Sequence, residues 1–366
     1  MIRSQVTEDV RKLYLQVLNR EPDANGLEYW VSIAQARATL DPVREGLLSS
    51  DEYKSSPGDN IAPIEHEDST VYRGYSEKDL KILSDFANPH AKPEPGFVVD
   101  FLGGRTRTSS LWQTVRHLDG QVLGLPVPGD YHAEAIEWIG LLKSVRSAGN
   151  TYRAVELGAG MGPWIVAGGN AARLRGIHDI RLYGVEADPL HFQLLEQHLK
   201  DNNFGLNSLT VHAAVGVIAG RARFPVIENS REDWGSRPDF SQGSNGGARP
   251  DYLGRPMEKF HEIEVIPMLD VIKYEDRWDL CHIDVQGHEV DICGSCLDEI
   301  NKRVVWLVIG THSRKIDGQL IEMFFDAGWN LVHEKPSKFR FDRNSASLEA
   351  MTYVDGVQIW KNPMLL

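Results

Sequence analysis

An apolar run at residues 152–157 is followed at once by glycines at 158, 160 and 162, and then by a helix-compatible run from Pro163 to Leu174. No other stretch restricts the fold so tightly. A buried strand that ends in a glycine turn and opens a helix is the first half of a parallel strand–helix–strand crossover. It commits the chain to an α/β sheet covered by helices on both faces. The glycines permit backbone angles closed to other residues and let a ligand approach the main chain. Their spacing says more. The dinucleotide fingerprint G-x-G-x-x-G sets a pyrophosphate on a helix N-terminus. Here the spacing is G-x-G-x-G, with Glu156 two residues before the first glycine. A carboxylate at that place disfavours a phosphate, and with it an NAD-dependent oxidoreductase. It suits a cationic ligand free of phosphate, such as S-adenosylmethionine.

Strands are expected near residues 152–157, 180–186, 208–215, 279–284, 303–309, 328–333 and 354–360, with helices between most of them. This alternation predicts a Rossmann-like, doubly wound, mostly parallel sheet with right-handed crossovers. The last two strands flank a polar stretch without helical period, residues 334–353, so they are expected to pair as a hairpin with an antiparallel last strand. Ahead of this domain, residues 8–56 carry apolar side chains at helical spacing, Val10, Leu13, Tyr14, Val17 and Leu18 first, with breaks at Pro22 and before Pro42. The expected organisation is a small all-α module at 1–56, a linker and N-terminal cap region at 57–130, and the α/β domain at 131–366. Residues 228–255, rich in Gly, Ser, Pro, Asp and Arg, interrupt the rhythm. A loop of that length is either functional, as a lid or substrate loop, or flexible.

Ligands of a doubly wound sheet bind beyond the carboxyl ends of the strands. The candidate cofactor residues follow from that rule: Glu156, Gly158, Ala159, Gly160 and Gly162 at the first strand, and Glu186 and Ala187 at the second. The Glu186 carboxylate can accept both ribose hydroxyl protons; its plain alternative is a charge at a helix start. Ala214, at the end of the third strand, leaves room for adenine. The fourth strand ends in His282-Ile-Asp284-Val-Gln-Gly-His288-Glu289. His282 and Asp284 alternate along it and so share a face. Asp284, His288 and His312 are the candidate catalytic groups, with Asp284 also against the cofactor. Each histidine also has an ordinary use as a cap, turn or packing residue. Asp284, Glu289 and His312 include hard ligands that suit Mg²⁺ or another divalent cation. Arg105 and Arg107, upstream, are either solvated or able to hold a carboxylate.

Several of these strings resemble known families. Val155-Glu-Leu-Gly-Ala-Gly-Met-Gly162 looks like the first motif of class I methyltransferases. Ile283-Asp-Val-Gln-Gly-His-Glu289 is similar to the signature of the FkbM family. Val308-Ile-Gly-Thr-His-Ser-Arg314, the stretch Gly318…Phe325-x-Ala-Gly-Trp329 and Asp130-Tyr-His-Ala-Glu-Ala-Ile-Glu-Trp138 resemble a bacterial branch of it. The likeness spans roughly residues 95–362. It implies a class I methyltransferase fold, S-adenosylmethionine as donor, and O-methylation of a sugar or specialised metabolite. The alternatives are an acceptor nitrogen, carboxylate or macromolecule, or a non-catalytic cofactor-binding scaffold. The string Tyr14…Asn19-Arg-Glu-Pro-Asp23…Gly26-Leu-Glu-Tyr-Trp30 resembles a short helical module of unknown function. It implies no chemistry, and leaves open a protein or glycan partner.

Composition closes other routes. A formal net charge of −13 disfavours a nucleic-acid partner. The apolar stretch at residues 304–309 is too short to span a bilayer. Residues 1–9 lack an apolar signal region, so a cytoplasmic protein is expected. Cys281, Cys293 and Cys296 fit a reducing compartment. Cys293 and Cys296 have no second pair nearby, which favours packing thiols over a redox or metal pair. Oligomeric state is not legible.

Overall fold

The computed structural model describes residues 3–18, 20–37, 40, 42–43, 46–47, 50, 73–240, 249–250, 255–257 and 259–365. The chain divides into two compact units, Met1–Val71 and Tyr72–Leu366.

In the first unit, helix α1 (Arg3–Leu18) and helix α2 (Ala24–Arg37) meet across a core of Val6, Val10, Tyr14, Val31, Ala34, Val43 and Leu47. The turn between them is held by Asp23, whose Oδ1 accepts the Gly26 N–H at 2.9 Å. Pro22 lies just before it, where a helix cannot continue. The expected helix after Pro42 falls largely outside the described residues.

The second unit is built on seven strands: β1 (Thr151–Leu157), β2 (Asp179–Glu186), β3 (Ser208–His212), β4 (Leu280–Ile283), β5 (Trp306–Thr311), β6 (Asn330–Lys335) and β7 (Gly356–Lys361). Their order across the sheet is β6-β7-β5-β4-β1-β2-β3. Every pair from β5 to β3 is parallel, while β7 runs antiparallel to both β5 and β6. This is the class I methyltransferase-type, Rossmann-like sheet, with the antiparallel last strand that the polar stretch before it predicts. Buried side chains crowd both faces of the central strands, so those strands read as nearly continuous apolar runs rather than alternating ones. Helices α3 (Glu77–Phe86), α4 (Ala135–Ser147), α5 (Pro163–Leu174), α6 (Pro189–Asp201), α7 (Glu289–Ser295), α8 (Leu297–Arg303) and α9 (Arg314–Asp326) flank the sheet.

Two expectations need correction. The strand expected at 208–215 is divided. Ser208–His212 stays in the main sheet, the Ala213 N–H closes that pairing by donating to the Glu186 carbonyl at 3.0 Å, and Ala214–Gly216 joins a separate three-stranded sheet with Phe260–Pro267 and Gly220–Pro225. Arg105 and Arg107 are not free to hold a ligand. They lie on a two-stranded hairpin (Phe97–Val99 with Arg105–Arg107), and Arg107 makes a paired contact with Asp201 of α6 at 2.6 and 2.8 Å. Such fork-to-carboxylate geometry pins the hairpin to the helix.

The three cysteines are buried and free. Burial pushes the Cys296 thiol up to about 11, the state of a packing thiol rather than a reactive one. Among the described residues, no helix is long and apolar enough to cross a membrane.

Candidate active site

A cavity of about 510 Å³ opens beyond the carboxyl ends of β1, β2 and β4. Its floor is the glycine turn. Gly158 and Ala159 both donate to the Val185 carbonyl, at 3.0 and 2.9 Å, and so tie the end of β1 to the end of β2. On the other side, the Asp284 N–H donates to the Leu157 carbonyl at 2.9 Å. The turns after β1 and β4 come so close that a Cβ on Gly158 would lie 1.8 Å from the Asp284 carbonyl oxygen, and Gly158 has a φ of +72°. Only glycine satisfies both conditions. Gly162 serves packing instead. It lies outside the cavity wall, and its absent side chain makes room for Leu195.

At the β2 end, Glu186 is buried and each of its oxygens holds one backbone donor. Oε2 accepts the Gly160 N–H at 2.7 Å and Oε1 the Asp188 N–H at 2.6 Å. Burial raises its pKa, with the charge of His191 working the other way. Each oxygen retains acceptor capacity, which is what a pair of ribose hydroxyls requires. Ala187 and Ala214 line the same end with small side chains. Glu156 also lines the cavity, yet its Oε2 caps the start of α5 by accepting the Ile165 N–H at 3.0 Å, and burial pushes its pKa well up. The residues thus fit the adenosine end of S-adenosylmethionine: an acidic pair of acceptors, small neighbours, and main chain exposed at Gly158 and Gly160.

The opposite end is built by the turn after β4 and the end of β5. Asp284 faces the cavity with 40% of its side chain exposed. Its Oδ1 accepts Gln286 Nε2 at 2.8 Å and meets His312 Nε2 at 3.2 Å. His312 Nδ1 lies 2.9 Å from Oε1 of Glu289, a carboxylate with no exposed surface. The same Glu289 oxygen accepts the N–H groups of Gly287 at 3.0 Å and Val285 at 3.3 Å. Asp284, His312 and Glu289 therefore form a continuous row running from the cavity into the core. Burial alone would lower the pKa of His312, but the Glu289 charge and the hydrogen bonds to both carboxylates raise it well above the ordinary range. For Asp284, burial works upward and is outweighed by the hydrogen bond and charge of His312, so its pKa falls. Those shifts favour a charged His312 imidazole lying between two acidic side chains. Potential ligand atoms of the three residues lie within 4.8 Å of one another, the grouping that the sequence suggests for a cation.

His288 reaches the cavity edge, packed edge-on against Phe240 at 4.7 Å, and burial lowers its pKa. His282 lines the cavity too, stacked on Trp164 at 5.3 Å. Its pKa falls to about 4 by burial, so the ring is neutral. Trp234, from the interrupting segment, forms the wall above Gly160, where a Cβ would come within 3.0 Å of its ring. It stacks on His191 at 4.0 Å, nearly parallel. Trp112, Tyr131, His132, Glu137 and His191 line the cavity as well. Sequence reasoning did not identify Glu137, His191 or Trp112. Glu137 offered a signal, since it follows Glu134 by three residues in a helix start.

Residues 6–56 match the family described as a domain of unknown function (DUF4214). Over 289 residues, 77% of this chain and 98% of the relative, the sequence is 33% identical to a protein of Jannaschia sp. (strain CCS1) assigned as a methyltransferase. Solved structures similar to it include the methyltransferase FkbM of Methylobacillus flagellatus KT, at 14% identity and a TM-score of 0.34, with 57% of this chain and 44% of that chain covered. Another is the precorrin-6y C5,15-methyltransferase of Geobacter metallireducens GS-15, at 11% identity and a TM-score of 0.34, covering 63% of this chain and 88% of that one.

Proposed function

The chain belongs to the methyltransferases, and from that premise we propose that it transfers a methyl group from S-adenosylmethionine to a hydroxyl oxygen of a sugar or specialised metabolite. The observation that carries the reading is the row Asp284–His312–Glu289 at one end of a cavity whose other end is Glu186. Bound S-adenosylmethionine would supply a methyl carbon made electrophilic by its sulfonium. The side chains do the rest. Glu186 receives the ribose hydroxyls, and Ala187 and Ala214 leave space for the adenine. Asp284, fixed by Gln286 and His312, accepts a hydrogen bond from the acceptor hydroxyl and orients its oxygen toward the methyl centre. Such alignment is worth about 7–11 kcal/mol where the geometry is good. His312 keeps Asp284 ionised, and Glu289 keeps His312 charged. His288, neutral at the cavity edge, is available to hydrogen-bond the acceptor.

The resemblance to the FkbM strings supports oxygen over nitrogen, and the acidic net charge supports a small acceptor over nucleic acid. A divalent cation, where one takes part, would be held by Asp284, Glu289 and His312 and would polarise the acceptor oxygen. Against that stands the occupation of both His312 nitrogens by carboxylates, which suits a protonated ring better than a metal ligand. Of the region 57–130 expected as linker and cap, the described part from residue 73 on is proposed to cap the site, and the N-terminal module to dock on a protein or glycan.

The test is Asp284→Asn. S-adenosylhomocysteine, followed by calorimetry, should bind the variant within about three-fold of wild type, while methyl transfer falls by about 100-fold or more. Absence of S-adenosylhomocysteine binding to the wild type would refute the cofactor. Undiminished transfer by the variant would remove Asp284 from the reaction.

A further inference from the structure

The stretch Asp130-Tyr-His-Ala-Glu-Ala-Ile-Glu-Trp138 stands out in the sequence and has no part in the reading above. It delivers three side chains to the cavity wall: Tyr131, His132 and Glu137. Glu137 sits in the first turn of α4, where its Oε2 accepts the Glu134 N–H at 3.1 Å. That bond fixes the side chain and engages only one of its oxygens. The neighbouring Glu134 carboxylate is ion-paired to Lys335. Helix α4 lies on the β5–β7 part of the sheet, with Gly140 placed so that a Cβ would meet Val308 at 3.1 Å and Ile359 at 2.5 Å. Glu137 therefore shares the cavity with Asp284 on the side away from β3.

We propose that Glu137 is the catalytic base: its second oxygen takes the proton of the acceptor hydroxyl that Asp284 orients. The proposal rests on the hydroxyl-acceptor reading above. As the acceptor O–H bond breaks toward Glu137, a C–O bond forms to the methyl carbon. The S–CH₃ bond breaks with its electron pair left on sulfur. The products are a methyl ether, S-adenosylhomocysteine and a protonated Glu137, which returns its proton to solvent.

The two carboxylates are separated by environment. Asp284 beside His312 is held ionised and is a weak base. Glu137 is pushed up to about 8 by burial first, the Glu134 N–H opposing, and then by the charges of Asp284, Glu134 and Asp130. Those three carboxylates act on it most strongly, with Lys335 ion-paired to Glu134, and the titratable His132, Glu156, His282 and His288 line the same cavity. A base of that strength is matched to proton removal near neutral pH, and two carboxylates driven apart in this way take different roles.

The experiment uses the full-length protein with glycerol as a probe hydroxyl acceptor and propylamine, which has no hydroxyl, as a probe amine. Release of S-adenosylhomocysteine is followed across pH. Glu137→Gln should slow transfer to glycerol by about 100-fold or more, with S-adenosylhomocysteine affinity within about two-fold of wild type. Glu137→Asp should recover part of the rate. The wild-type rate should rise with pH to a plateau above about 8, because the base form is populated there, and Glu137→Gln should lose that rise. The carboxyl carbon of Glu137, followed by carbon-13 NMR, should titrate in the same range without any turnover. A midpoint below about 6, or unchanged transfer by Glu137→Gln, overturns the proposal. So does a ten-fold or greater loss of S-adenosylhomocysteine affinity, on the order of 1.4 kcal/mol, which would assign Glu137 to the donor. Wild-type transfer confined to propylamine overturns the hydroxyl reading beneath it.

Discussion

Removing the Glu289 carboxylate is the most informative single change. One oxygen of this fully buried carboxylate accepts from His312 Nδ1 at 2.9 Å, from the Gly287 N–H at 3.0 Å and from the Val285 N–H at 3.3 Å. Glu289→Ala leaves a charged imidazole without its inner partner and two N–H groups of the Asp284 turn without an acceptor. Breaking a buried ion pair in this way costs about 3–5 kcal/mol. For a domain of this size that corresponds to a fall of roughly 5–8 °C in Tm, followed by calorimetric or fluorescence melts. Glu289→Gln keeps an acceptor oxygen and removes only the charge, so its loss should be about half as large. The pH dependence provides a second check. His312 has a folded pKa raised above its unfolded value. The stability it brings is complete below about pH 6.5 and is lost as the pH climbs through the folded pKa. The Tm gap between wild type and Glu289→Ala should therefore be widest near about pH 6 and close in the alkaline range. A gap under about 2 °C, or one that widens with rising pH, would refute the imidazolium row.

Three further outcomes are expected. Gly158→Ala forces a Cβ into a left-handed residue, at about 1–2 kcal/mol, and against the Asp284 carbonyl. It should weaken S-adenosylhomocysteine binding by about 100-fold or more by calorimetry, and affinity within about three-fold would show that the contact yields. Glu186→Gln removes the charge behind the ribose contacts and should raise the S-adenosylhomocysteine Kd by roughly 10- to 100-fold, since hydrogen bonds to charged groups are worth about 1.5–3 kcal/mol. Exhaustive dialysis against a chelator should leave methyl transfer within about two-fold. Loss of activity restored by Mg²⁺ would instead make Asp284, Glu289 and His312 a cation site.

What was legible in the sequence is what local pattern controls. The glycine turn, the acidic end of β2 and the antiparallel β7 follow from strand length, turn chemistry and polarity within a few residues. Asp284 and His282 on one face follow from the two-residue period of a strand. The row behind Asp284 was legible only as a grouping. That His312 reaches Asp284 with one nitrogen and Glu289 with the other depends on the packing of β5 beside β4, and no spacing encodes it. The break at Ala213 was hidden for a similar reason. Residues 208–215 read as one strand, and Ala214–Gly216 leaves the main sheet to pair with Val265–Pro267, a partner far along the chain that no local pattern announces. Glu137 was hidden because a glutamate in a first helical turn is ordinary as a cap. Its place in the cavity comes from where α4 lands on the sheet.

The near-contact between Gly158 and the Asp284 carbonyl has a consequence for retargeting the enzyme. The glycine turn and the turn after β4 are joined by that contact and by the Leu157–Asp284 hydrogen bond, so on the proposed reading a change in the acceptor end is felt at the donor floor. A library that varies residues 284–287 to admit a new acceptor will loosen the grip on the donor as well, and most of its members should be inactive for that reason alone. Diversity placed at Trp112, Tyr131 and Ser236 alters the walls without touching that contact. On the proposed assignment, acceptor choice should be varied on those walls and not on the turn after β4.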